Sequence, residues 1–216
     1  RGRGTELVPI EDELTINGAH IVFERLTFKG PITATDASNI TFRNCTFSAG
    51  KTGLLAEETS GLRLEHVVFT DNVLRLKKTQ GVFMRGNIFA HGKKPAVAMD
   101  EATSVTYADY NGYAVSTAAW AVAGTPLSIK DLRQQRHGIY SRVTAAEIRI
   151  RDNVPRIVNQ AAFAGSGPFA TPLGFHRFDK AEKPFRVSGP FVHSVTATTA
   201  NIEWWASVPA RYELSW

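Results

Sequence analysis

Apolar and polar positions alternate along this chain in one phrase that keeps returning: apolar-x-apolar-x-x-apolar-x-Phe. It occurs as Ile21, Phe23, Leu26, Phe28 and again as Ile40, Phe42, Cys45, Phe47. It returns as Leu62, Leu64, Val67, Phe69 and as Val82, Met84, Asn87, Phe89. A fading copy reads Val105, Tyr107, Tyr110, with Gly112 where Phe would stand. The copies start 19, 22, 20 and 23 residues apart.

A period of two on either side of a two-residue break predicts two short strands, each with one buried face, joined at a corner. After each Phe comes a turn residue (Gly30, Gly50, Asn72, Gly92) of a type that tolerates positive φ. A third apolar stretch follows at 32–34, 54–56, 73–76 and 97–99. A unit this short cannot bury its own apolar face. It must stack on its neighbours, about 4.8 Å apart, in a solenoid. Three strands per coil describe a right-handed parallel β-helix. Inward positions then stack like on like. Phe28, Phe47, Phe69 and Phe89 form one column, and Leu26, Cys45, Val67, Asn87 and Tyr110 another. Cys45 becomes a buried thiol, and Asn87 bonds backbone amides of adjacent coils.

These repeats, over roughly residues 10 to 115, resemble the pectate-lyase-like proteins of the right-handed β-helix region family. The segment "ADYNGY" (108–113) is similar to the element that closes the last coil in such proteins, and "LSIKDLRQQRHGIYSRV" resembles the stretch after it. In that stretch "IYS" stands where the family pattern has His-Ser. The resemblance implies a fold, and a family that includes lyases, hydrolases, epimerases and binding proteins.

Beyond the coils, Ser128 to Gln135 reads as one short helix, with Ser128 as N-cap, Asp131 in the first turn and Gly138 as a stop. Residues 139–187 are rich in Gly, Pro and Phe and are expected to cover the end of the solenoid. From Gly189 three alternating runs resemble the start of a fibronectin type III-like sandwich. More narrowly, "GPFVHSVTATTANIEWW" resembles the sandwich ahead of the catalytic domain in secreted purple-acid-phosphatase-like metallophosphoesterases. The expected fold is therefore all-β. A right-handed parallel β-helix solenoid occupies 1–115. A capping and connecting region follows at 116–187, with a short helix near 128–136. An incomplete Ig/fibronectin III-like β-sandwich fills 188–216. The opening "RGRGTE" and closing "YELSW" suggest a piece of a longer chain, with further domains beyond Trp216.

Charge narrows the partners. The 216 residues carry a net +5, with lysines and arginines scattered among carboxylates. That balance suits an acidic polysaccharide. It lacks the concentrated patch or motif that nucleic-acid binding requires. The longest apolar run, "YAVSTAAWAVAG", is too short to span a bilayer. One cysteine excludes an internal disulfide and a Cys-based zinc cluster. No cofactor is expected. Asp71, Asn72 and Asp100 offer oxygens for calcium but form no recognisable ligand loop.

Candidate chemistry follows from stacking. Aligning the third strands gives a corner column Asp36, Glu58, Lys78, Glu101 beside Thr35, Glu57, Lys77, Asp100. In one reading Lys78, flanked by Glu58 and Glu101, abstracts a proton next to a uronate carboxylate, and Lys77 grips the sugar acid. In the other the column is an intercoil salt-bridge ladder. His91, Lys93 and Lys94 form a second basic cluster, near Lys51, suited to binding an acidic substrate. His66 reads as a solvated corner residue. The sequons "NIT" and "NCT" fall within strands expected to be buried and are set aside. Three functions remain: an extracytoplasmic module that binds, and as a lyase or glycoside hydrolase cleaves, an acidic polysaccharide; a non-catalytic region of a longer secreted enzyme such as a metallophosphoesterase; or a structural or adhesive surface protein.

Overall fold

The computed structural model describes residues 8–48, 52–91, 95–115, 118–143, 148–151, 154–157, 187–195 and 200–206. Each phrase supplies one strand to each of three parallel sheets. The first sheet has five strands: Val22–Glu24, Thr41–Arg43, Arg63–Glu65, Val82–Arg85 and Val105–Asp109. After the two-residue break the chain enters the second sheet, through Leu26–Phe28, Thr46–Phe47, Val68–Thr70, Ile88–His91 and Gly112–Val115. After the turn it enters the third, through Ile32–Thr35, Thr52–Glu57, Val73–Lys77, Val97–Met99 and Trp120–Val122. Val8–Ile10 and Leu14–Ile16 begin the second and third sheets one coil earlier. The result is a parallel β-helix.

The expected Phe column is internal. Phe28, Phe47, Phe69 and Phe89 are fully buried, and successive rings stack 4.9, 4.6 and 5.0 Å apart. Apolar inward positions on all sheets join one continuous cluster, so burial rather than local propensity holds the short strands together. Cys45 lies in that cluster. Burial pushes its thiol up to about 12, against the pull of nearby backbone hydrogen bonds, so it stays protonated.

The fifth copy of the phrase does not follow the expected register. The pairing shifts between Val82 and Phe83, so that Phe83 faces Tyr107, Met84 faces Ala108 and Phe89 faces Tyr113. Tyr113 therefore continues the ring column, 5.4 Å from Phe89. Asn111 rather than Tyr110 stands in register with Asn87. Its side chain saturates that ladder, while Tyr110 turns outward.

The turn residues also differ from expectation. Gly30 and Asn72 do not use positive φ, and Gly50 and Gly92 lie outside the described residues. Gly30 is required by crowding, because a Cβ there would stand 2.2 Å from the Asp12 carbonyl oxygen. The left-handed residues sit at the other corners, among them Arg25, Asn44, His66, Gly86 and Tyr110 in one column. Asn39 is also left-handed and is exposed, so only Asn44 of the two sequon asparagines is buried.

The expected helix is Ile129–Gln134, capped by a reciprocal pair in which Asp131 N donates to Ser128 Oγ and Ser128 N to Asp131 Oδ2. Arg142–Val143 then adds a seventh strand to the second sheet. A short antiparallel hairpin joins Ile148–Arg151 to Val154–Ile157. The chain divides into two compact units, Arg1–His176 and Arg177–Trp216. Of the second, Val187–Val195 and Ala200–Ala206 form an antiparallel hairpin. The third run expected there lies outside the described residues. Among the described residues no helix is long and apolar enough to cross a membrane.

Candidate functional site

A β-helix offers three outer faces, and side-chain alternation decides what each presents. On the second sheet the outward positions Thr27, Thr46, Val68 and Ile88 are all buried, so that face is closed to solvent. The third sheet shows Thr15, Thr33, Leu55, Arg75 and Ala98, which are mostly small or aliphatic. The first sheet carries the chemistry.

Two outward columns run along that sheet. One is Val22, Thr41, Arg63, Phe83, Tyr107. The other alternates in sign: Glu24, Arg43, Glu65, Arg85, Asp109. In the first, Phe83 and Tyr107 stack 4.8 Å apart on the outside of the fold, and the Arg63 guanidinium lies 4.0 Å above the Phe83 ring. In the second, Glu65 is held by Arg63 at 2.8 Å and by Arg43 at 2.9 Å. Burial disfavours the Glu65 charge, but the guanidiniums of Arg63 and Arg43 outweigh it and hold the carboxyl below its usual range.

Asp109 behaves in the opposite way. Burial raises its carboxyl above the ordinary value, although Tyr110 N at 2.7 Å and Tyr140 N at 2.8 Å donate to it. Arg85, 2% exposed, stands between Glu65 and Asp109 in the column. The sheet thus sets guanidiniums beside a half-buried pair of outward-facing rings. That surface can bind a ligand with acidic groups and flat apolar faces.

The corner column singled out from sequence is assembled in the expected register: Thr35, Glu57 and Lys77 pair across coils. Lys78 Nζ meets Glu58 Oε1 at 2.7 Å, and Lys77 Nζ meets Glu57 Oε1 at 3.4 Å. The Lys78 amide donates to both oxygens of Asp100, at 3.1 and 2.9 Å. Glu101 is exposed in the turn after Asp100. The hydrogen bond and charge interaction of Lys78 with Glu58 raise the Lys78 ammonium above the ordinary lysine value, and the same contact lowers Glu58. A general base must shed its proton near neutrality, and this pairing works against that. The corner also gathers five carboxylates (Asp36, Glu57, Glu58, Asp100, Glu101) around two lysines, which repels a polyanion.

His91 ends a strand whose backbone is described, but its side chain, Lys93, Lys94 and Lys51 lie outside the described residues. His66 is not solvated. It is 6% exposed, with its ring folded over Gly86 of the next coil. Among the described residues no three metal-ligating side chains converge.

Sequence reasoning missed Arg43, Arg63 and Phe83 because it followed the apolar letters of the phrase, and it placed Tyr107 inward because the register shift in the fifth copy was not foreseen. The signal lay in the x positions, where acid and base alternate from copy to copy.

A family model described as "Right handed beta helix region" matches residues 14–154. No curated protein and no solved structure matches the chain.

Proposed function

Given that the chain belongs to the right-handed β-helix region family, we propose that it is an extracytoplasmic module that binds an acidic polysaccharide along the outer face of its first sheet. The observation that carries this reading is the stacked Phe83–Tyr107 pair with the Arg63 guanidinium over it. Aromatic rings take the apolar faces of sugar rings. Arg43 and Arg63 lie on the same outer face as those rings and supply the positive charge that the carboxylates of a uronate chain would meet. The repeat of about 4.8 Å between coils gives such cations the regular spacing that a polymer needs.

The test is a panel of uronate polymers and a neutral control, with binding measured at low and high salt. Salt-sensitive binding to the acidic polymers, weakened by Phe83→Ala and by Arg63→Gln, supports the reading. Absence of binding at low salt overturns it. Ultraviolet absorbance from unsaturated product, or new reducing ends, would add cleavage to binding. The proposal that Lys78, Glu58 and Glu101 catalyse, with Lys77 and the cluster His91, Lys93, Lys94 binding substrate, then rests on loss of that product in Lys78→Ala with binding kept.

A second reading has one observation in its favour. The antiparallel hairpin of Val187–Val195 and Ala200–Ala206 suits the first strands of a fibronectin III-like sandwich. On this reading the solenoid is an accessory region of a longer secreted enzyme, such as a metallophosphoesterase. The gene sequence beyond Trp216 tests it.

A further inference from the structure

The corner after the first sheet does not end with the fifth coil. Gly112 pairs with Arg142, and Asn111 N donates to Ser141 Oγ at 3.0 Å. Residues 140–143 therefore form part of a sixth coil, in which Tyr140 stands in register with Tyr110. The two rings stack 5.0 Å apart with planes 13° from parallel. Tyr140 is 59% exposed, among the largest exposed apolar side chains described. Its backbone is fixed where its ring is open, because Tyr140 N donates to Asp109 Oδ1. A rigidly held, solvent-facing ring contributes little to the core, and its exposed apolar area suits a ligand face.

The placement matters as much as the exposure. Tyr107 and Asp109 lie two residues apart on one strand, so their outward side chains stand about 7 Å apart. Tyr110 follows at the corner. The Phe83–Tyr107 pair and the Tyr110–Tyr140 pair therefore flank the Arg85–Asp109 row on its two sides. We propose that Tyr110 and Tyr140 form a second ring platform for an acidic sugar chain, so that the partial sixth coil belongs to the binding site. This rests on the polysaccharide reading above. It adds that the cap, and not the sheet alone, contacts the ligand.

The experiment measures the dissociation constant of a uronate oligosaccharide for the full chain and for Tyr140→Ala, Tyr140→Phe, Tyr140→Leu and Phe83→Ala, with an unfolding midpoint for each. Tyr140→Ala and Tyr140→Leu keep the backbone N–H on Asp109. Both are expected to weaken binding about tenfold or more, while Tyr140→Phe binds as the parent does and the midpoints stay put. Tyr140→Leu is the arbiter if the alanine variant is unstable. Full affinity in Tyr140→Leu with weakened binding in Phe83→Ala overturns the cap platform and leaves the sheet reading standing. A parent protein that does not bind overturns both. Concentration-dependent dimerisation that Tyr140→Ala abolishes would assign the rings to self-association and overturn the proposal.

Discussion

Asn111 Oδ1 accepts two hydrogen bonds from Asn87 on the coil before it, one from the backbone N and one from Nδ2, each at 3.0 Å. Asn87 in turn accepts from Val67 N at 2.9 Å and donates to Leu64 O at 3.0 Å, and Asn111 Nδ2 donates to Met84 O at 3.1 Å. Both side chains are fully buried. Removing one link leaves buried donors and an acceptor without partners. Asn111→Ala is therefore expected to cost at least about 2 kcal/mol, read as a lower denaturant midpoint.

Phe69 stacks on Phe47 at 4.6 Å and on Phe89 at 5.0 Å inside the solenoid. Phe69→Ala empties the middle of that column, where coils on both sides limit collapse. A loss of about 3–5 kcal/mol follows. An unchanged midpoint would mean that the column does not carry the core.

Gly86 has φ +67, and a Cβ there would stand 2.5 Å from the Cε1 of His66. Its column neighbours Asn44, His66 and Tyr110 take positive φ with side chains attached, so the clash outranks the backbone cost. Gly86→Ala should destabilise strongly in the parent. In a His66→Ala background its cost should fall to the backbone part, about 1–2 kcal/mol. A double-mutant cycle by chemical denaturation measures the difference.

Glu65 and Asp109 give opposite pH dependences. Glu65 titrates below its unfolded value, so its stabilisation is present above the ordinary glutamate pKa and is lost as pH falls through the lowered one. Asp109 titrates above its unfolded value, so its part is full below the ordinary aspartate pKa and is lost as pH rises through the raised one. Glu65→Gln should be less stable at neutral pH by about 1–3 kcal/mol, with a flatter decline into acid. Midpoints across an acid pH series for parent and variant check both.

Lys78 and Glu58 pair in full contact with solvent, where water and salt screen the attraction. Lys78→Ala should leave the unfolding midpoint nearly unchanged, and high salt should remove what difference exists. A large loss of stability would show that the ladder holds the coils together.

The phrase itself determined the coils built on its first four copies, their Phe column and the register of the charged corner. Each follows from a period of two and from stacking like on like, which are local properties of the chain. The fifth coil was not legible in this way. Tyr107 and Ala108 are both acceptable inward residues, and a one-residue slip exchanges the two faces of a strand. The register there is decided by Asn111 meeting Asn87 and by Tyr113 meeting Phe89, contacts between residues 24 apart. The proposed binding face was beyond the sequence for a related reason. Thr27, Thr46 and Val68 become unavailable only because the folded chain buries them. Tyr140 comes to stack on Tyr110 only because Arg142 pairs with Gly112 and starts another coil. Alternation within a strand is set by the backbone, but which side meets water is set by everything packed around it.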